Sequence, residues 1–553
     1  MTCFTDFLRG TNASAALAPA IRAAAEGDRL LFFPPGEYHF YPDGCSGRYC
    51  YFSNNDGGVK TIAMLLEDLD GFTVRGPGAM LIFHGRISPL CAFGCRDLTV
   101  EDLTVDFEDS FVSDADLVRR EDGVAWFRFP GKHRVADGRI VFTDDPFDNL
   151  SGRLPFFCYD REKREICDFR PVTVPNRDIR SRDGLVGVED RFAGLPSDAF
   201  LVKHEARLCP GMVFDRCENV VIRQVTLHHA AGMGFLIQNC ENCLVDGAKV
   251  VPRGRRASVS DDALHIADCR GKIRIGNCIL SGTLDDSINV HGVFRKLKSR
   301  IPGGKFYYLE VGHYQQQGVV GIRPGDIMRL FDRKSGRPYG EIALTGVVPL
   351  TPAFIRVDFD ESALPESFVQ GDPVLITGTM GDLEIADTEC RPLNGRGVLA
   401  SGMKRVRISG CTFHTSGAGV FISGDWSFWY ESGPVEETVI ENNLFDDCDY
   451  NPFSATQEPL SVFPELASLT EGYFYHGSIR IADNRFRSAV RPLISVMSAA
   501  EAEVSGNLFE RDDSRPFVPR EEAGYHFTTA ASPKAAFLHC GVVRESGDHG
   551  FGK

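Results

Sequence analysis

The sequence lacks an excess of basic charge and any long uninterrupted apolar run. Its 60 Lys and Arg residues are outnumbered by 76 Asp and Glu residues, which gives a formal net charge of −16. Nucleic acids and anionic membranes bind basic surfaces, so neither is expected as the main partner of this chain. No run of about 18 apolar residues occurs, and no transmembrane helix is predicted.

The N-terminal residues MTCFTDFLRGTNASAALAPA lack the basic start and the continuous apolar stretch of a secretion signal. The 17 cysteines are odd in number, and their spacing is unlike that of a small disulfide scaffold. We therefore expect free thiols and a cytoplasmic location, with secretion as the alternative if a leader has been removed. A short helix over residues 12–26, capped by Asn12 or Ser14, is predicted before the first strand.

Short alternating strands recur along most of the chain, and the 56 Gly and 30 Pro residues favour such a turn-rich β protein. Cys217, Cys240 and Cys269 each begin one repeat. A period of about 23 residues is plausible for one coil of a parallel β-helix. Hairpin-like segments interrupt the repeat twice. We predict an all-β chain, a right-handed parallel β-helix with two inserted β-barrel-like modules, divided as 1–107, 108–208 (first module), 209–293, 294–380 (second module) and 381–553.

Two acidic doublets lie about one repeat apart, Asp261-Asp262 in SDDALHIAD and Asp285-Asp286 in LDDSINVHG. Equivalent positions on successive coils are about 4.8 Å apart, so the doublets are expected to share one patch. Crowded carboxylates repel each other, which raises the pKa of at least one of them. A proton donor beside a proton acceptor is what acid–base hydrolysis needs, whereas a single Asp in a turn is more commonly a strand-end cap.

Two further features flank the doublets. Asn289 and His291 follow the second doublet, and His291 is interpreted as a hydroxyl contact or as a group that orients a carboxylate. Arg253, Arg255 and Arg256 precede the first doublet, where they either form a solvated turn or neutralise the acidic patch.

The segment ISGDWSFWYESGPV, residues 422–435, combines carboxylates with aromatic rings. It contains Asp425, Trp426, Trp429 and Glu431, and thus two of the three Trp residues of the chain. Aromatic faces stack on the C–H groups of sugars and acids bind sugar hydroxyls, so the segment indicates a carbohydrate site. A packed loop with buried aromatic side chains is the structural alternative.

The histidine and cysteine patterns predict no metal site. No HExxH motif occurs, and Cys240-Glu-Asn-Cys243 has no second CxxC to complete a zinc site. Buried thiols in the turns are the favoured interpretation of this motif. Structural roles are the default for His228, His229 and His265.

The strings DDSINVHG, SDDALHI and GDWSFWYESGPVEETVIENNLF together resemble glycoside hydrolase family 110. The resemblance covers the β-helix and both insertions. It implies a right-handed parallel β-helix with β-barrel insertions, which hydrolyses terminal α-1,3-linked galactose by an exo-acting, inverting mechanism without a required metal. No cofactor and no metal are therefore expected. The implied partner is a galactose-terminated oligosaccharide or glycan, and a homodimer stays open.

Carried over by position, the resemblance gives roles to individual residues. Asp285 is expected to be the general acid, while Asp286 and Asp262 are expected to activate water. Trp429 and Glu431 are expected to bind galactose. With the residues singled out above, the candidate substrate-binding set is Asp261, Asn289, His291, Asp425, Trp429 and Glu431.

Other functions stay open at this point. A polygalacturonase-like hydrolase also uses several Asp residues on a β-helix, although the acidic balance speaks against a basic subsite for uronates. A carbohydrate-binding β-helix without catalysis would share the aromatic and acidic segment. A polysaccharide lyase is disfavoured, because the sequence offers no convincing Lys or Arg base.

Overall fold

The computed structural model describes residues 1–142, 152–167, 170–204, 207, 209–300, 306–425, 428–431, 433–451, 458–515 and 534–550. These residues form a parallel β-helix with two inserted antiparallel modules, which confirms the predicted fold class. Within the described ranges, no helix has the length and apolarity to cross a membrane.

One face of the β-helix carries the candidate site. It is a twelve-stranded sheet that begins with an antiparallel hairpin and continues in parallel register from coil to coil. Its strands are Ser46–Cys50, Gly58–Glu67, Ser88–Phe93, Met212–Asp215, Phe235–Gln238, Leu264–Ala267, Ile288–His291, Val398–Ala400, Val420–Gly424, Leu460–Pro464, Ile494–Met497 and Ala535–Leu538.

The remaining faces merge into one 23-stranded sheet, because most coils contribute two consecutive strands to it. Its strands are Thr2–Cys3, Leu30–Phe32, Gly36–Phe40, Thr73–Phe83, Thr99–Phe107, Glu218–Arg223, Thr226–Leu227, Glu241–Asp246, Lys249–Val250, Arg270–Gly276, Ile279–Ser281, Asp382–Ala386, Glu389–Arg391, Arg405–Ser409, Thr412–Phe413, Glu437–Glu441, Leu444–Asp446, His476–Ala482, Arg485–Ser488, Ala499–Ser505, Leu508–Arg511, Val542–Ser546 and His549–Gly550.

The alternation of apolar and polar residues explains why these segments form coils. Leu264, Ile266, Ile288 and Val290 lie in the main hydrophobic core, inside the solenoid. Successive side chains of a strand point to opposite faces, so the residues between them lie on the outer surface of the sheet. Polar side chains at those positions therefore line one groove on the outer surface.

The cysteines of successive coils stack in the turns. The backbone N–H of Cys217 donates to Cys240 Sγ at 3.3 Å, and that of Cys240 donates to Cys269 Sγ at 3.4 Å. Cys243 is also buried, and all 17 cysteines are free thiols. The prediction of buried thiols for the CxxC motif is therefore confirmed.

A helix covers the N-terminal end of the solenoid. It spans Ser14–Glu26 and follows a short 3₁₀ turn at Phe4–Phe7. Its buried residues Leu17 and Ile21 join the main core, as an end cap must. The N-cap residue is Ala13, so the predicted cap at Asn12 or Ser14 is wrong in position, although the Asn12 side chain, one residue earlier, accepts a hydrogen bond from the Ser14 N–H at 2.9 Å.

The first inserted module is an eight-stranded antiparallel sheet with its own core. Its strands in the described part of the chain follow one another as an open series and do not close into a barrel. They are Val112–Glu121, Val124–Arg128, Arg153–Asp160, Glu165–Ile166, Val172–Pro175, Arg180–Arg182, Leu185–Glu189 and Ala199–Lys203, with a separate hairpin at Arg134–Ala136 and Arg139–Val141.

The second inserted module is a closed six-stranded barrel. Its apolar side chains form a separate core inside the barrel. The strands are Arg295–Ser299, Tyr307–Val311, Ile327–Phe331, Pro338–Thr351, Phe354–Phe359 and Asp372–Ile376. Short 3₁₀ turns lie at Tyr314–Gln316, Glu361–Ala363 and Thr377–Thr379.

A buried ion pair fixes the barrel to the β-helix. Arg295 Nη2, on the first barrel strand, donates to Asp268 Oδ2 at 2.6 Å, and both side chains are 0% exposed. Asp268 follows the coil strand Leu264–Ala267 and has a φ of 54°. The same Arg295 nitrogen donates to the Val319 carbonyl at 2.9 Å. Loss of one partner would leave a desolvated charge without compensation.

We predict that Asp268→Asn lowers the free energy of unfolding by about 3–5 kcal/mol, because the Arg295 cation then stays buried without a counter-charge. Asn suits this position because it tolerates a positive φ. The double variant Asp268→Asn/Arg295→Met should recover part of the loss. Urea unfolding measures both changes, and a single variant as stable as the wild type would contradict the assigned role.

Candidate active site

The two acidic doublets stack on adjacent coils of the twelve-stranded sheet. The register pairs Leu264 with Ile288, so Asp261 lies beside Asp285 and Asp262 beside Asp286. The backbone N–H of Asp286 donates to Asp262 Oδ1 at 3.1 Å. Oxygens of Asp262, Asp285 and Asp286 all lie within 4.8 Å of one another. The sequence prediction that the doublets share a patch agrees with this geometry.

The three clustered carboxylates differ in exposure and in proton affinity. The side chains of Asp262 and Asp286 are 3% and 1% exposed, whereas that of Asp285 is 22% exposed. Burial and the charge of Asp286 raise the pKa of Asp285 to about 6. Burial, followed by the charges of Asp285 and Asp286, raises the pKa of Asp262 well above its usual value. The cluster therefore holds a proton near neutral pH.

Two arginines that the sequence reasoning missed bind this cluster. Arg207 Nη2 donates to Asp285 Oδ2 at 3.3 Å, and Arg207 Nε donates to Asp261 Oδ1 at 3.2 Å. The Arg396 N–H and Nε donate to Asp286 Oδ1 at 2.7 and 2.9 Å. Each guanidinium group thus makes a charge-assisted hydrogen bond to a carboxylate of the doublets.

Asp261 is held by cations and does not join the three clustered carboxylates. Lys203 Nζ donates to Asp261 Oδ1 at 2.7 Å, and Ser260 Oγ donates to Asp261 Oδ2 at 2.9 Å. Although burial opposes the change, Lys203 and Arg207 lower the pKa of Asp261. Asp261 is therefore a charged anchor that fixes Arg207 beside Asp285.

The cationic residues that the sequence reasoning missed differ in whether a sequence pattern could have identified them. Val398 is paired with Ile288, so Arg396 occupies the coil position equivalent to Asp286. Extending the coil repeat across the second insertion would have identified Arg396 at this position. Lys203 and Arg207 come from the end of the first module, which follows no coil period. No sequence signal connects them to the doublets.

Glu431 reaches the site because its loop folds back toward the start of the barrel. Glu431 and Val293 form an antiparallel bridge, and Glu431 Oε2 accepts from Asn289 Nδ2 at 3.2 Å. Asn54, from the N-terminal hairpin, also donates to the Glu431 carboxylate. Although burial opposes it, the nearby imidazoles and these amide donors lower the pKa of Glu431 to about 2. Glu431 is therefore a charged hydrogen-bond acceptor.

Two histidines link the doublets to the surrounding shell. His265 Nδ1 lies 2.8 Å from Asp262 Oδ2, and His265 Nε2 lies 3.1 Å from His291 Nε2. His291 is fully buried, and its Nε2 lies 4.0 Å from Glu431. Of the two roles considered for His291, the structure favours orientation of the charged groups, here through His265. His265 contacts a site carboxylate, which its default structural role did not predict.

The aromatic and acidic loop lies beside the same cluster. Phe428 N–H and Trp429 N–H donate to the Asp425 carboxylate at 3.0 and 2.6 Å, so Asp425 shapes the loop. The Arg207 guanidinium lies 5.1 Å from the centroid of the Trp429 ring. Trp426 lies outside the described residues.

The remaining polar residues near the doublets have structural partners. Arg253 and Arg255 pair with Asp106, while Arg256 pairs with Asp114 and Asp116 of the first module. Neither of the two sequence interpretations of this run describes it, since these arginines bind other carboxylates. His228 Nδ1 and His229 Nδ1 donate hydrogen bonds to the Val251 and Ser258 carbonyls, which fits the structural roles expected of them.

The clustered oxygens of Asp262, Asp285 and Asp286 are close enough together to hold a cation. Hard divalent cations require about six or more oxygen ligands, and three carboxylates supply only part of that set. Two of the three already bind guanidinium groups, through Arg207 and Arg396. The donor set thus suits the arginine partners, and we assign no metal to it.

The curated proteins to which this chain is similar are named α-1,3-galactosidases, which are glycoside hydrolases. It is 27% identical to α-1,3-galactosidase B of Akkermansia muciniphila, over 87% of this chain and 62% of that protein. It is 25% identical to α-1,3-galactosidase A of Shewanella woodyi, over 87% and 81%, and 26% identical to α-1,3-galactosidase B of Bacteroides thetaiotaomicron, over 89% and 82%. The resemblance is confirmed, since these relatives support a family of the glycoside hydrolase family 110 type.

No family model matches the chain. Among solved structures, it overlaps a mannuronan C-5 epimerase A-module of Azotobacter vinelandii with a TM-score of 0.39 and 11% identity, covering 98% of this chain and 99% of that one. It overlaps the family 28 exopolygalacturonase of Yersinia enterocolitica with a TM-score of 0.36 and 9% identity, covering 98% and 78%. Overlaps at these scores carry no assignment of function.

We predict that Arg207→Met raises the pKa of Asp285 above about 6, because a nearby cation favours the charged carboxylate and its removal favours the protonated form. Arg207→Lys should keep most of the effect, since the positive charge remains. Carbon-13 NMR of labelled aspartate carboxyls, assigned with Asp285→Asn, measures the titration. An unchanged titration in Arg207→Met would show that burial and the charge of Asp286 set the pKa of Asp285 without a contribution from Arg207.

Proposed function

We propose that the chain is an exo-acting glycoside hydrolase that releases terminal α-1,3-linked galactose with inversion of the anomeric centre. The observation that carries the proposal is the cluster of three carboxylates with oxygens within 4.8 Å, in a chain related to proteins named α-1,3-galactosidases. Hydrolysis needs one protonated and one charged carboxyl group, and burial beside like charges favours the protonated form of Asp285 in this cluster.

Asp285 is the general acid in this proposal. Its pKa of about 6 lets it carry a proton that a solvated Asp would have lost. Its side chain is more exposed than those of Asp262 and Asp286, so it faces the open side of the groove. A leaving group departs toward that side, and Asp285 protonates the glycosidic oxygen there.

Asp286 and Asp262 hold and activate the water. In the proposal Asp286 is the base, and the positively charged guanidinium of Arg396 lies beside it, with Nε 2.9 Å from Asp286 Oδ1. Oxygens within 4.8 Å can both accept hydrogen bonds of about 2.7 Å from one water molecule. When Asp285 is protonated, the electrostatic repulsion between Asp285 and Asp262 falls, because the two groups titrate together.

The close spacing of these oxygens supports water binding. It does not distinguish inversion from retention, so inversion is proposed from the resemblance to glycoside hydrolase family 110. Carboxyl separations of roughly 6.5–9.5 Å are typical of inverting enzymes, and about 5–5.5 Å of retaining ones. The nearest oxygens here are closer than either range. The distance that matters is therefore the one between Asp285 and the base oxygen on the far face of the bound sugar.

Glu431, Asn289 and Trp429 form the galactose pocket in this proposal. Glu431 stays charged and accepts hydrogen bonds from sugar hydroxyls, which are stronger when the acceptor is charged. Asn289 Oδ1 is buried and has no hydrogen-bond partner among the described residues. A sugar hydroxyl in the pocket would satisfy this acceptor.

Release from the chain end is supported by the closed side of the groove. The N-terminal hairpin carries Ser53 and Asn54 over the sheet, where Ser53 Oγ donates to Gln316 Oε1 at 3.1 Å. Gln316 Nε2, from the barrel, donates to Asn54 Oδ1 at 2.9 Å. This bridge blocks one direction along the sheet, so a continuous polysaccharide could not pass through the site.

We predict that Asp285→Asn leaves the fold intact and lowers kcat on a galactose-α-1,3-galactose disaccharide by at least about 100-fold, the smaller effect expected for loss of a general acid. An aryl galactoside should lose less, because an activated leaving group needs less protonation. Asp183→Asn changes a carboxylate that is 71% exposed and serves as the matched control. A folded Asp285→Asn protein with wild-type rates on the disaccharide would refute the acid role.

We predict that the first galactose released is the β anomer, because water attacks the face opposite the leaving group. Proton NMR during the first minutes of hydrolysis distinguishes this anomer before mutarotation. A chelator should leave the rate unchanged, since carboxylates supply both proton transfers in the proposed mechanism. Initial release of α-galactose would mean retention and would require an Asp nucleophile.

A further inference from the structure

Four aromatic side chains from two separate parts of the fold meet at the open side of the carboxylate cluster. His313 and Tyr314 belong to the barrel, and Phe428 and Trp429 belong to the loop after strand Val420–Gly424. The His313 ring lies 4.6 Å from Tyr314, 4.7 Å from Trp429 and 5.5 Å from Phe428, centroid to centroid. We call this group the aromatic platform.

We propose that the aromatic platform is a subsite that stacks the sugar to which the terminal galactose is attached. This inference rests on the proposed function and narrows the substrate class. It selects galactosides whose leaving group is itself a pyranose ring, as in a disaccharide or longer glycan, over galactosides with a small leaving group.

The exposure of the outer rings supports a ligand role. Tyr314 is 62% exposed and Phe428 is 60% exposed, whereas Trp429 is only half-buried behind them. A large apolar ring left in water gains free energy when a ligand covers it. Both rings contact the same His313 ring, so in the proposal they together cover the C–H face of a sugar.

The platform is also held in place before any ligand binds. His313 Nδ1 accepts the Gln315 N–H at 3.2 Å, which fixes the imidazole over the 3₁₀ turn. Gln315 Nε2 donates to Asp56 Oδ1 at 2.9 Å and ties that turn to the N-terminal hairpin. On the other side, Asp425 accepts the N–H groups of Phe428 and Trp429. Groups fixed in advance lose little entropy on binding.

The position of the platform relative to the acid identifies which sugar it would contact. Arg207 connects the two, because its guanidinium binds Asp285 and lies 5.1 Å from the Trp429 ring. Asp285 is the most exposed member of the carboxylate cluster, and Tyr314 and Phe428 are exposed as well, so the proposal places all three at one opening. In the proposed mechanism this is the leaving-group side, and the next sugar of the glycan lies there.

The test compares kcat/KM for a galactose-α-1,3-galactose disaccharide with kcat/KM for methyl α-galactoside, which has no second ring. Tyr314→Ala and Phe428→Ala should each lower the value for the disaccharide about 3- to 10-fold, the range expected for loss of one stacking contact. Neither change should alter the value for the methyl galactoside. Tyr49→Ala removes an aromatic ring of similar exposure, 58%, from the N-terminal hairpin and serves as the control.

The outcomes separate the platform from the activity. Wild-type protein that cleaves both galactosides, with variants that match it on the disaccharide, would overturn the platform and leave the proposed function intact. Equal losses on both substrates would also overturn it, because they would indicate a structural role. Wild-type protein that cleaves neither galactoside would contradict the proposed function, and with it this assignment of the platform.

Discussion

The parallel register between Leu264–Ala267 and Ile288–His291 is the constraint on which the candidate site depends. It places two acidic doublets one strand spacing apart on the outer face of the sheet. A slip by one residue would turn the apolar side chains of these strands out of the core, so the carboxylates cannot separate. Burial and the charge of Asp286 therefore raise the pKa of Asp285 to about 6, which favours its protonated form.

Identical side chains acquire different properties because different elements supply their partners. Asp261 is charged because the first module contributes Lys203 and Arg207. Asp286 binds Arg396, which comes from the next coil after the barrel. Asp285 accepts a hydrogen bond from the far nitrogen of Arg207 and stays partly exposed. The differences among the four carboxylates therefore arise from their surroundings, because the side chains themselves are chemically identical.

The inserted modules complete a site that the solenoid alone would leave as a shallow groove. The barrel contributes Gln316 to the wall and His313 to the aromatic platform. Its placement depends on the buried pair of Asp268 and Arg295, which joins the first barrel strand to a coil. The stability of this pair and the geometry of the groove are therefore coupled, although the pair lies outside the carboxylate cluster.

The sequence by itself determined the β-helix, the two insertions that interrupt its repeat, and the acidic doublets. Coil repeats and local charge patterns depend on residues that are close together in the chain. The sequence also marked Trp429 and Glu431 through their composition and their resemblance to a known family. Only the tertiary structure decided that Arg207, Asn54 and His313 belong to the same site. These residues lie in segments without a coil period, and their positions are set by how the hairpin and the modules pack on the solenoid. Long-range packing of that kind leaves no periodic signal in the chain, so no local pattern could have predicted it.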